Sequence, residues 1–284
     1  MTLEQLNRHI TQSLTPALGA GEAAATARLL MEDELGATPK KIFTDGRRTL
    51  EPETVAHIDA LVGRIAAGEP PQYVTGVAQF MGLTLKVTPA VLIPRPETAQ
   101  LVDMITDDCG GRADLRVIDA GTGSGCIAIA LARALPFAQI EAIDISADAL
   151  AVARENARRL GVRIDFVCAD LLNMPVSDTR DLDLIVSNPP YIADSEKTDM
   201  DSRVLDYEPH AALFVPDSDP LKFYRAIGRT GLGRLRPGGK LYFEINPLFA
   251  SQLSGMLADQ GYTDIEITPD YRGLRRFARA TAPL

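Results

Sequence analysis

The sequence predicts an α/β fold, in which a doubly wound and mostly parallel sheet follows a small helical domain. From about residue 115 onward, short apolar runs alternate with helical segments, a pattern typical of parallel strands joined by crossover helices. The N-terminal part instead has apolar residues three or four positions apart, which is the helical period. The clearest example, with Pro52 near its start, comprises Val55, Ile58, Val62 and Ile65.

The segment between these two patterns suggests the domain boundaries. Residues 68–76 are rich in Gly, Pro and Thr, which predicts a linker. Residues 83–87 alternate apolar and polar side chains, which predicts a strand of a β-hairpin. We therefore expect a helical domain at 1–75, a linker with a β-hairpin at 76–92, and an α/β domain at 93–284.

Size and charge favour a soluble enzyme. The chain has 284 residues, of which 46% are hydrophobic, so it can bury a core for one large and one small domain. Its net charge of −9 disfavours binding that depends on neutralising phosphates. It has no run of about 18 apolar residues, and residues 1–4 lack the character of a signal peptide. We expect a cytoplasmic protein that does not bind membranes.

The cysteine and histidine content predicts neither a disulfide framework nor a metal site. Cys109, Cys126 and Cys168 are far apart and odd in number, and the chain has only 3 histidines. Cys126 and Cys168 stand in apolar surroundings, so we expect both to be small core residues.

Charged residues cluster in three places. An acidic segment at residues 194–208 predicts a mobile lid or a partner-contact loop, with a solvated loop as the alternative. Two basic clusters favour solvated surface charge, with contact to an acidic partner as the alternative. They comprise Lys40, Lys41, Arg47 and Arg48 in the N-terminal part, and Arg272, Arg275, Arg276 and Arg279 near the C-terminus.

A glycine-rich turn indicates a site for a nucleotide-like cofactor. It follows an apolar run at residues 115–119 and precedes a helix rich in Ala, Ile and Leu. Glycines let a ligand approach the backbone closely, and the first N–H groups of the helix are free to bind polar groups. Dinucleotide-binding folds use a related loop, but Cys126 replaces the third glycine of their motif, which argues slightly against NAD. The candidate cofactor-binding residues are Gly121, Thr122, Gly123, Ser124 and Gly125.

Acidic residues after the next two strands could complete this site. Asp144 ends the run at 139–144 and can accept hydrogen bonds from two ribose hydroxyls; alternatively, it only precedes a helix that Ser146 caps. Asp170 and Leu171 follow the run at 164–168. Asp170 could accept from an adenine amine with Leu171 against the ring, or it could simply form a turn.

The most informative stretch is Asn-Pro-Pro-Tyr at residues 188–191, which follows a buried strand predicted at 182–187. Asn188 supplies a side-chain carbonyl, and Pro189 supplies a backbone carbonyl without an N–H. Pro190 restricts Pro189 to extended geometry, which fixes the direction of that carbonyl. Two rigid acceptors suit a planar NH2 group, and Tyr191 offers it a flat face. The tetrapeptide predicts alkylation of a conjugated nitrogen; the alternative is a Pro-Pro strand end after a chance Asn.

These motifs resemble those of class I S-adenosylmethionine-dependent methyltransferases, and specifically the PrmC/HemK family of protein-glutamine methyltransferases that act on peptide-chain release factors. The resemblance covers nearly the whole chain. It also rests on GEPPQYVTG at 68–76, LIPRPET at 92–98 and YEPHAAL at 207–213. Leu171 stands where the family often has an aromatic residue. Residues 244–247 read Glu-Ile-Asn-Pro, where the family usually has Glu-Ile/His-Gly.

The resemblance implies a Rossmann-like sheet of seven strands, one of them antiparallel near the end, and a methyltransferase domain at 93–284. It implies that S-adenosylmethionine is the cofactor and S-adenosylhomocysteine the product, with contacts at residues 121–125, Asp144, Leu171 and Asn188. It further implies a release factor as the substrate, whose glutamine is held by Asn188, Pro189, Pro190 and Tyr191. We expect a monomer that uses its helical domain for substrate recognition and has no direct nucleic-acid substrate.

The predicted reaction is direct methyl transfer to the N5 side-chain amide nitrogen of a glutamine, which tunes translation termination. An amide nitrogen is a poor nucleophile because its lone pair is delocalised into the carbonyl, so positioning must supply much of the catalysis. Asn188 and Pro189 can fix both amide hydrogens and stabilise the positive charge that develops on nitrogen. With Tyr191, they are the candidate catalytic residues, and no metal ion is required.

Three other functions stay open from the sequence. An N-methyltransferase acting on an exocyclic amine of DNA or RNA could use the same tetrapeptide, although the pI near 4.9 argues against it. A non-catalytic binding module is disfavoured because the glycine loop and the tetrapeptide are both intact. An NAD-dependent oxidoreductase is disfavoured because no acid/base histidine is evident near a strand end.

Overall fold

The computed structural model describes residues 1–112, 114–173 and 181–284. The chain divides into two compact units. The smaller unit consists of Met1–Val77 and Asp201–Tyr207, and the larger unit consists of Ala78–Met200 and Glu208–Leu284. The smaller unit thus combines the N-terminal part of the chain with one short later segment.

The N-terminal part of the smaller unit is helical, with α1 (Leu3–Leu35), α2 (Pro39–Asp45), α3 (Pro52–Ala66) and α4 (Pro71–Thr75). Helix α1 begins with a capping box, in which the Thr2 hydroxyl accepts from the Gln5 N–H at 3.3 Å and the Gln5 side chain accepts from the Thr2 N–H at 2.8 Å. Gly19 interrupts α1 with a non-helical backbone (φ 76°, ψ 160°) that glycine adopts without strain. The buried core includes Leu6, Ile10, Leu14, Leu30, Ile58 and Ile65. It confirms the helical domain predicted from periodicity.

A helix lies where the sequence predicted a linker, so that prediction was wrong for part of residues 68–76. Helix α4 has Pro71 at its first position. The N–H of the first helical residue has no partner within a helix, so a proline there loses no hydrogen bond. Tyr73 and Val74 are buried, and Val74 belongs to the core of the helical unit. Packing of these side chains stabilises a helix that the local glycine and proline content disfavours.

A β-hairpin follows, formed by β1 (Val77–Phe80) and β2 (Leu83–Lys86). The two loop residues both have positive φ, 50° at Met81 and 73° at Gly82, which is the type I′ turn that matches the twist of a hairpin. Phe80, Leu83 and Leu85 are buried in the core of the larger unit. The hairpin therefore packs as part of that core.

The rest of the chain alternates helices and strands. In chain order the elements are α5 (Pro96–Cys109), β3 (Arg116–Ala120), α6 (Cys126–Ala134), β4 (Gln139–Asp144), α7 (Ala147–Leu160), β5 (Asp165–Cys168), β6 (Leu182–Ser187), β7 (Ile192–Ala193), α8 (Ser202–Tyr207), β8 (Phe214–Val215), α9 (Lys222–Arg234), β9 (Leu235–Glu244), α10 (Ala250–Gln260), β10 (Thr263–Pro269) and β11 (Arg275–Thr281). Short 3-10 helices lie at Leu171–Asn173, Asp194–Asp199, His210–Ala212 and Pro247–Phe249. Strands β7 and β8 form a small parallel pair.

The central sheet has seven strands in the order β10-β11-β9-β6-β3-β4-β5. Strand β3 is parallel to β4 and β6, β4 is parallel to β5, and β6 is parallel to β9. Strand β11 is antiparallel to both of its neighbours. The described residues thus confirm the predicted mostly parallel sheet with one antiparallel strand near the end of the chain.

Both faces of the sheet are covered by helices, because alternate residues of a strand point to opposite faces. Val117 of β3 belongs to a cluster with residues of α5 and α6, and the adjacent Ile118 belongs to a cluster with residues of α9 and α10. The chain leaves β3 on the β4 side and later returns on its other side as β6. This reversal is a topological switch point, where open α/β sheets bind ligands at the carboxyl ends of their strands.

Candidate active site

The glycine loop connects β3 to α6 and is fixed by contacts that need glycine. Gly121, Gly123 and Gly125 have φ values of 79°, 54° and 82°, which side-chain-bearing residues rarely adopt. A Cβ atom on Gly125 would lie 3.2 Å from the Ala153 Cβ atom of α7, so the missing side chain permits close packing. The Thr122 N–H donates to the Ile143 carbonyl at 2.9 Å. The loop is therefore tied to the end of β4.

Asp144 ends β4 beside this loop and accepts hydrogen bonds on both carboxylate oxygens. The Gly123 N–H donates to Oδ2 and the Ser146 N–H donates to Oδ1, each at 2.9 Å. Ser146 also caps α7 by accepting from the Ala149 N–H at 3.1 Å. The structure thus places Asp144 before a capped helix and also beside the glycine loop. Each oxygen keeps a second acceptor site, so both functions of Asp144 are compatible.

Asp119, at the carboxyl end of β3, is buried beneath the same loop. Its Oδ2 atom accepts from the Thr122 hydroxyl at 2.6 Å and from the Ala128 N–H at 3.2 Å. Its Oδ1 atom is buried and has no hydrogen-bond partner among the described residues. Burial raises the pKa of Asp119 to about 7, although the two hydrogen bonds oppose this shift, and the charge of Asp144 adds to it. A buried acceptor without a partner calls for an explanation, and a bound ligand is one.

Asp170 and Leu171 follow the end of β5 and have different surroundings. Asp170 accepts from the Leu172 N–H at 2.9 Å and from the Asn173 side-chain amide at 2.7 Å, which gives it a turn-forming role. Leu171 is buried, and its Cδ1 atom would lie 3.6 Å from a Cβ atom on Gly121. Leu171 therefore packs against the glycine loop. The adenine contacts of both residues stay predictions.

The tetrapeptide follows β6 and is held at both ends by side chains from distant segments. The Asn188 Nδ2 amide donates to the Thr98 hydroxyl at 3.2 Å. The Thr98 hydroxyl donates to Glu244 Oε2 at 2.7 Å, and the Tyr191 hydroxyl donates to Glu244 Oε1 at 3.1 Å. One carboxylate at the end of β9 thus connects Asn188, through Thr98, with Tyr191.

Glu244 is only 1% exposed, so this arrangement lies in the protein interior. Burial raises the pKa of Glu244, whereas the hydrogen bonds from Thr98 and Tyr191 and the charge of Arg276 lower it in part. Burial also raises the pKa of Tyr191, and the nearby Glu244 charge adds to that shift. Tyr191 therefore stays a neutral hydroxyl donor.

Asn246 is a further support that sequence reasoning did not find. Its Nδ2 atom donates to the Tyr191 carbonyl at 3.1 Å and to Glu196 Oε2 at 2.8 Å. Its Oδ1 atom accepts from the Leu248 N–H at 3.0 Å, which caps the short helix Pro247–Phe249. The local turn at Glu-Ile-Asn-Pro is therefore fixed by Asn246. The sequence of residues 244–247 differs from the family pattern, which drew attention to Asn246. It gave no sign that Asn246 contacts Tyr191.

Two other segments that carried the resemblance meet in a partly buried ion pair. Arg95 donates to Glu208 Oε1 at 2.5 Å, and the Ile93 N–H donates to Glu208 Oε2 at 3.2 Å. Glu208 is only 4% exposed. The pair links the segments at 92–98 and 207–213, and Arg95 immediately precedes α5, which carries Thr98. Nothing in the sequence alone indicated this pairing.

The C-terminal basic cluster and the acidic segment have local partners. In the C-terminal cluster, Arg276 pairs with Asp270 and Arg279 pairs with Asp108. Arg272 contacts Glu97, and Arg275 donates to the Ser251 hydroxyl. Arg272 and Arg275 are exposed, which agrees with solvated surface charge, whereas Arg276 and Arg279 are half-buried and Arg276 pairs with the buried Asp270. In the acidic segment, the Ser195 hydroxyl donates to Asp217 at 2.6 Å. A lid function for that segment stays a prediction.

The cysteine predictions had mixed outcomes. All three cysteines are free, and Cys109 is buried. Cys168 is exposed, so the prediction that it is a core residue was wrong. The reason is that it ends β5, which is an edge strand of the sheet and is mostly exposed. Cys126 is partly buried.

The described part of the chain contains neither a membrane-spanning helix nor a cluster of metal ligands. No helix there is both long and apolar enough to cross a membrane. Within residues 1–112, 114–173 and 181–284, no group of three or more His, Cys, Asp or Glu side chains could hold a metal ion.

Comparison with known proteins identifies the family. Residues 5–76 match the family described as PrmC N-terminal domain, and residues 97–207 match Methyltransferase small domain. A Bacteroides thetaiotaomicron protein named release factor glutamine methyltransferase is 41% identical over 98% of this chain and 99% of that protein. A Koribacter versatilis protein of the same name is 35% identical over 96% of this chain and 99% of its own. A solved methyltransferase from Pyrococcus furiosus shares the fold, with a TM-score of 0.52 and 15% identity over 82% of this chain and 100% of that one.

The fold and the matched domain define the class of this protein, which is a methyltransferase of the α/β type. The two nearly full-length relatives then define the family. The chain belongs to the release factor glutamine methyltransferase family. The resemblance inferred from the sequence motifs is confirmed.

Proposed function

We propose that the chain transfers a methyl group from S-adenosylmethionine to the N5 side-chain amide nitrogen of a glutamine in a peptide-chain release factor. The observation that carries the proposal is the position of Asn188, directly after β6, which pairs with β3. The glycine loop follows β3, and Asp144 ends β4, so all three features share the carboxyl edge of the parallel strands. The names of the relatives support a release factor as the substrate.

The residues around the glycine loop fit S-adenosylmethionine. The unpartnered Oδ1 atom of Asp119 provides a buried acceptor for a polar ligand. Asp144 is partly exposed and can accept hydrogen bonds from two ribose hydroxyls. A Cβ atom on Gly123 would meet no atom within 4 Å, so the loop backbone there is accessible to a ligand. We expect residues 121–125 to contact the cofactor, with Asp170 and Leu171 beside the adenine. When bound, this cofactor supplies an electrophilic methyl group.

The tetrapeptide supplies acceptors for the amide that is methylated. The Asn188 Oδ1 atom and the Pro189 carbonyl would accept the two hydrogens of the glutamine NH2 group, which orients the nitrogen and fixes its plane. Both acceptors also stabilise the positive charge that develops as the nitrogen forms its new bond. The nitrogen then releases one proton to water, so the product is a neutral methylated amide.

Tyr191 and Pro190 complete the pocket. The Tyr191 ring would pack against the flat amide group, and its hydroxyl is fixed by Glu244. Pro190 restricts the backbone of Pro189 and so holds the Pro189 carbonyl in one direction. Contacts to Glu244 and Asn246 therefore support preorganisation, which is what a weak amide nucleophile requires.

Recognition of a whole protein requires more surface than one amide pocket provides. Specific protein interfaces commonly bury about 1,200–2,000 Å² in total. We propose that the helical domain at residues 1–75 supplies part of this surface and takes no part in the chemistry. The enzyme would act as a monomer in the cytoplasm, where release factors end translation.

The proposal is tested by offering the enzyme competing substrates. Enzyme and S-adenosylmethionine labelled in its methyl group are incubated with purified release factors, with duplex DNA and with RNA. The proposal predicts that the label enters a release factor. Label in nucleic acid but not in protein would contradict it and favour an exocyclic-amine methyltransferase.

A further inference from the structure

The buried carboxylate of Glu244 determines the direction of a chain of hydrogen bonds that ends at Asn188. Glu244 lies at the end of β9, Thr98 lies in the first turn of α5, and Asn188 follows β6. The Thr98 hydroxyl lies 2.7 Å from Glu244 Oε2 and 3.2 Å from the Asn188 amide nitrogen. Thr98 is 2% exposed, so water does not compete for these bonds.

The direction follows from the donors and acceptors available. An ionised carboxylate can only accept hydrogen bonds, and a hydroxyl has a single hydrogen to donate. Two hydroxyls, those of Thr98 and Tyr191, point at the two oxygens of Glu244. These two hydrogen bonds and the charge of Arg276 favour the ionised carboxylate, against the effect of burial, which raises its pKa. Thr98 therefore gives its hydrogen to Glu244 and can only accept from Asn188. The group of Asn188 that faces Thr98 must be its NH2.

This constraint leaves the Asn188 Oδ1 atom pointing away from Thr98. An asparagine amide is nearly symmetric in shape, so a rotation of 180° about its last bond would exchange a carbonyl acceptor for an NH2 donor. A flipped Asn188 would present hydrogens to the hydrogens of a substrate amide. No hydrogen bond to Oδ1 occurs among the residues that the structure describes. The oxygen is thus available to a substrate.

We propose that Glu244, acting through Thr98, is a positioning residue that fixes the amide orientation of Asn188 and thereby makes the site select a carboxamide over a carboxylate. This inference rests on the proposed function, because it takes glutamine as the group that is bound. An acceptor fixed in place binds a glutamine NH2 group and repels the oxygens of a glutamate of the same shape. Discrimination arises because a wrong substrate leaves polar groups facing each other without a hydrogen bond.

Three variants test this inference. Thr98→Val keeps the side-chain shape and removes the hydroxyl, whereas Thr98→Ser keeps the hydroxyl. Thr106→Val is the matched control on the same helix, since the Thr106 hydroxyl donates only to the Asp103 carbonyl, at 2.9 Å. Thermal unfolding and cofactor titration first establish that each variant folds.

The decisive measurement is a ratio of two affinities, both taken in the presence of S-adenosylhomocysteine. One is for the release factor, and the other is for the same factor with glutamate in place of the acceptor glutamine. We expect the native enzyme to prefer glutamine by at least about tenfold. In Thr98→Val the preference should fall toward one, and kcat should fall by about 10- to 100-fold, the scale known for residues that orient a metal ligand through a hydrogen bond. Thr98→Ser and Thr106→Val should keep both values within about threefold of the native enzyme.

A purely structural role for Thr98 would change stability but not the glutamine preference. Thr98→Val with native kcat and native preference would overturn the inference and leave the proposed function intact. Should Thr98→Val fail to fold, Glu244→Leu serves instead, since it removes both carboxylate oxygens and leaves the Thr98 hydroxyl free to donate to Asn188; an unchanged preference there would equally overturn the inference. Failure of the native enzyme to methylate any release factor would contradict the proposed function, and this inference would fall with it.

Discussion

The backbone N–H of Gly123 donates a hydrogen bond to Asp144 Oδ2 at 2.9 Å, so the glycine loop and the acid that ends β4 are directly joined. The two residues are 21 positions apart in sequence. The parallel pairing of β3 with β4 brings their carboxyl ends together. Asp144 therefore holds the loop, and we propose that it also accepts from the cofactor ribose.

Replacement of Asp144 by alanine should weaken S-adenosylmethionine binding by about 30- to 800-fold, or about 2–4 kcal/mol, because charge-assisted hydrogen bonds are lost. Titration calorimetry measures this directly. Asp148→Ala, an exposed acid in the first turn of α7, is the matched control and should bind normally. Equal affinities for all three proteins would mean that Asp144 only precedes a helix.

Replacement of Asn188 by alanine should lower the methylation rate by about 10²–10³-fold, the scale for losing one preorganised polar group. Cofactor affinity should change much less, because Asn188 mainly positions the substrate. Single-turnover kinetics and calorimetry separate the two effects. Gln252→Ala, which removes an exposed amide on α10, serves as the control. Near-native turnover by Asn188→Ala would exclude the catalytic role.

The sequence was sufficient to locate Asp144 and Asn188, because each follows an apolar run and strand ends meet at one sheet edge. It was not sufficient to assign a role to Thr98 or Glu244. These two residues are 146 positions apart, and only the folded structure brings α5 against β9. A contact that depends on the folded sheet leaves no local pattern.

Two other differences also have their cause in tertiary structure. Helix α4 formed in a segment whose composition predicts a linker, since burial of Tyr73 and Val74 overrides weak local propensity. Cys168 is exposed because β5 lies at the sheet edge, and an apolar neighbourhood in sequence does not reveal which strand is at the edge.

The buried carboxyl of Asp119 should make stability depend on pH. Burial raises its pKa in the folded protein from an ordinary 3.8 to about 7. Between these values the folded state binds a proton that the unfolded state has lost, so this contribution to stability falls as pH rises through that window and is constant above it. Asp119→Asn has no such titration. Both proteins are compared without cofactor. The melting temperature of Asp119→Asn should rise relative to that of the native enzyme as the pH increases from about 4 to about 7. A constant difference across this range would contradict the assignment.

A truncated chain that begins at Gly76 tests the recognition role of the helical domain. This start removes α4 together with the core to which Val74 belongs, whereas a start at Tyr73 would leave part of α4 exposed. The truncated protein should still bind S-adenosylmethionine if it folds, but should lose most of its activity on intact release factor. Activity on a short glutamine peptide should fall less. Native activity on the intact factor, with the fold confirmed by circular dichroism, would show that the helices only add structure.

We propose that the tetrapeptide site methylates the side-chain nitrogen of a glutamine in a release factor. The most direct test is tandem mass spectrometry of a release factor after incubation with S-adenosylmethionine and either the native enzyme or Asn188→Ala. We predict one added methyl group, located on the side-chain nitrogen of a single glutamine, with the native enzyme and almost none with the variant. A methyl group on another residue type, or equal methylation by the two enzymes, would contradict the account.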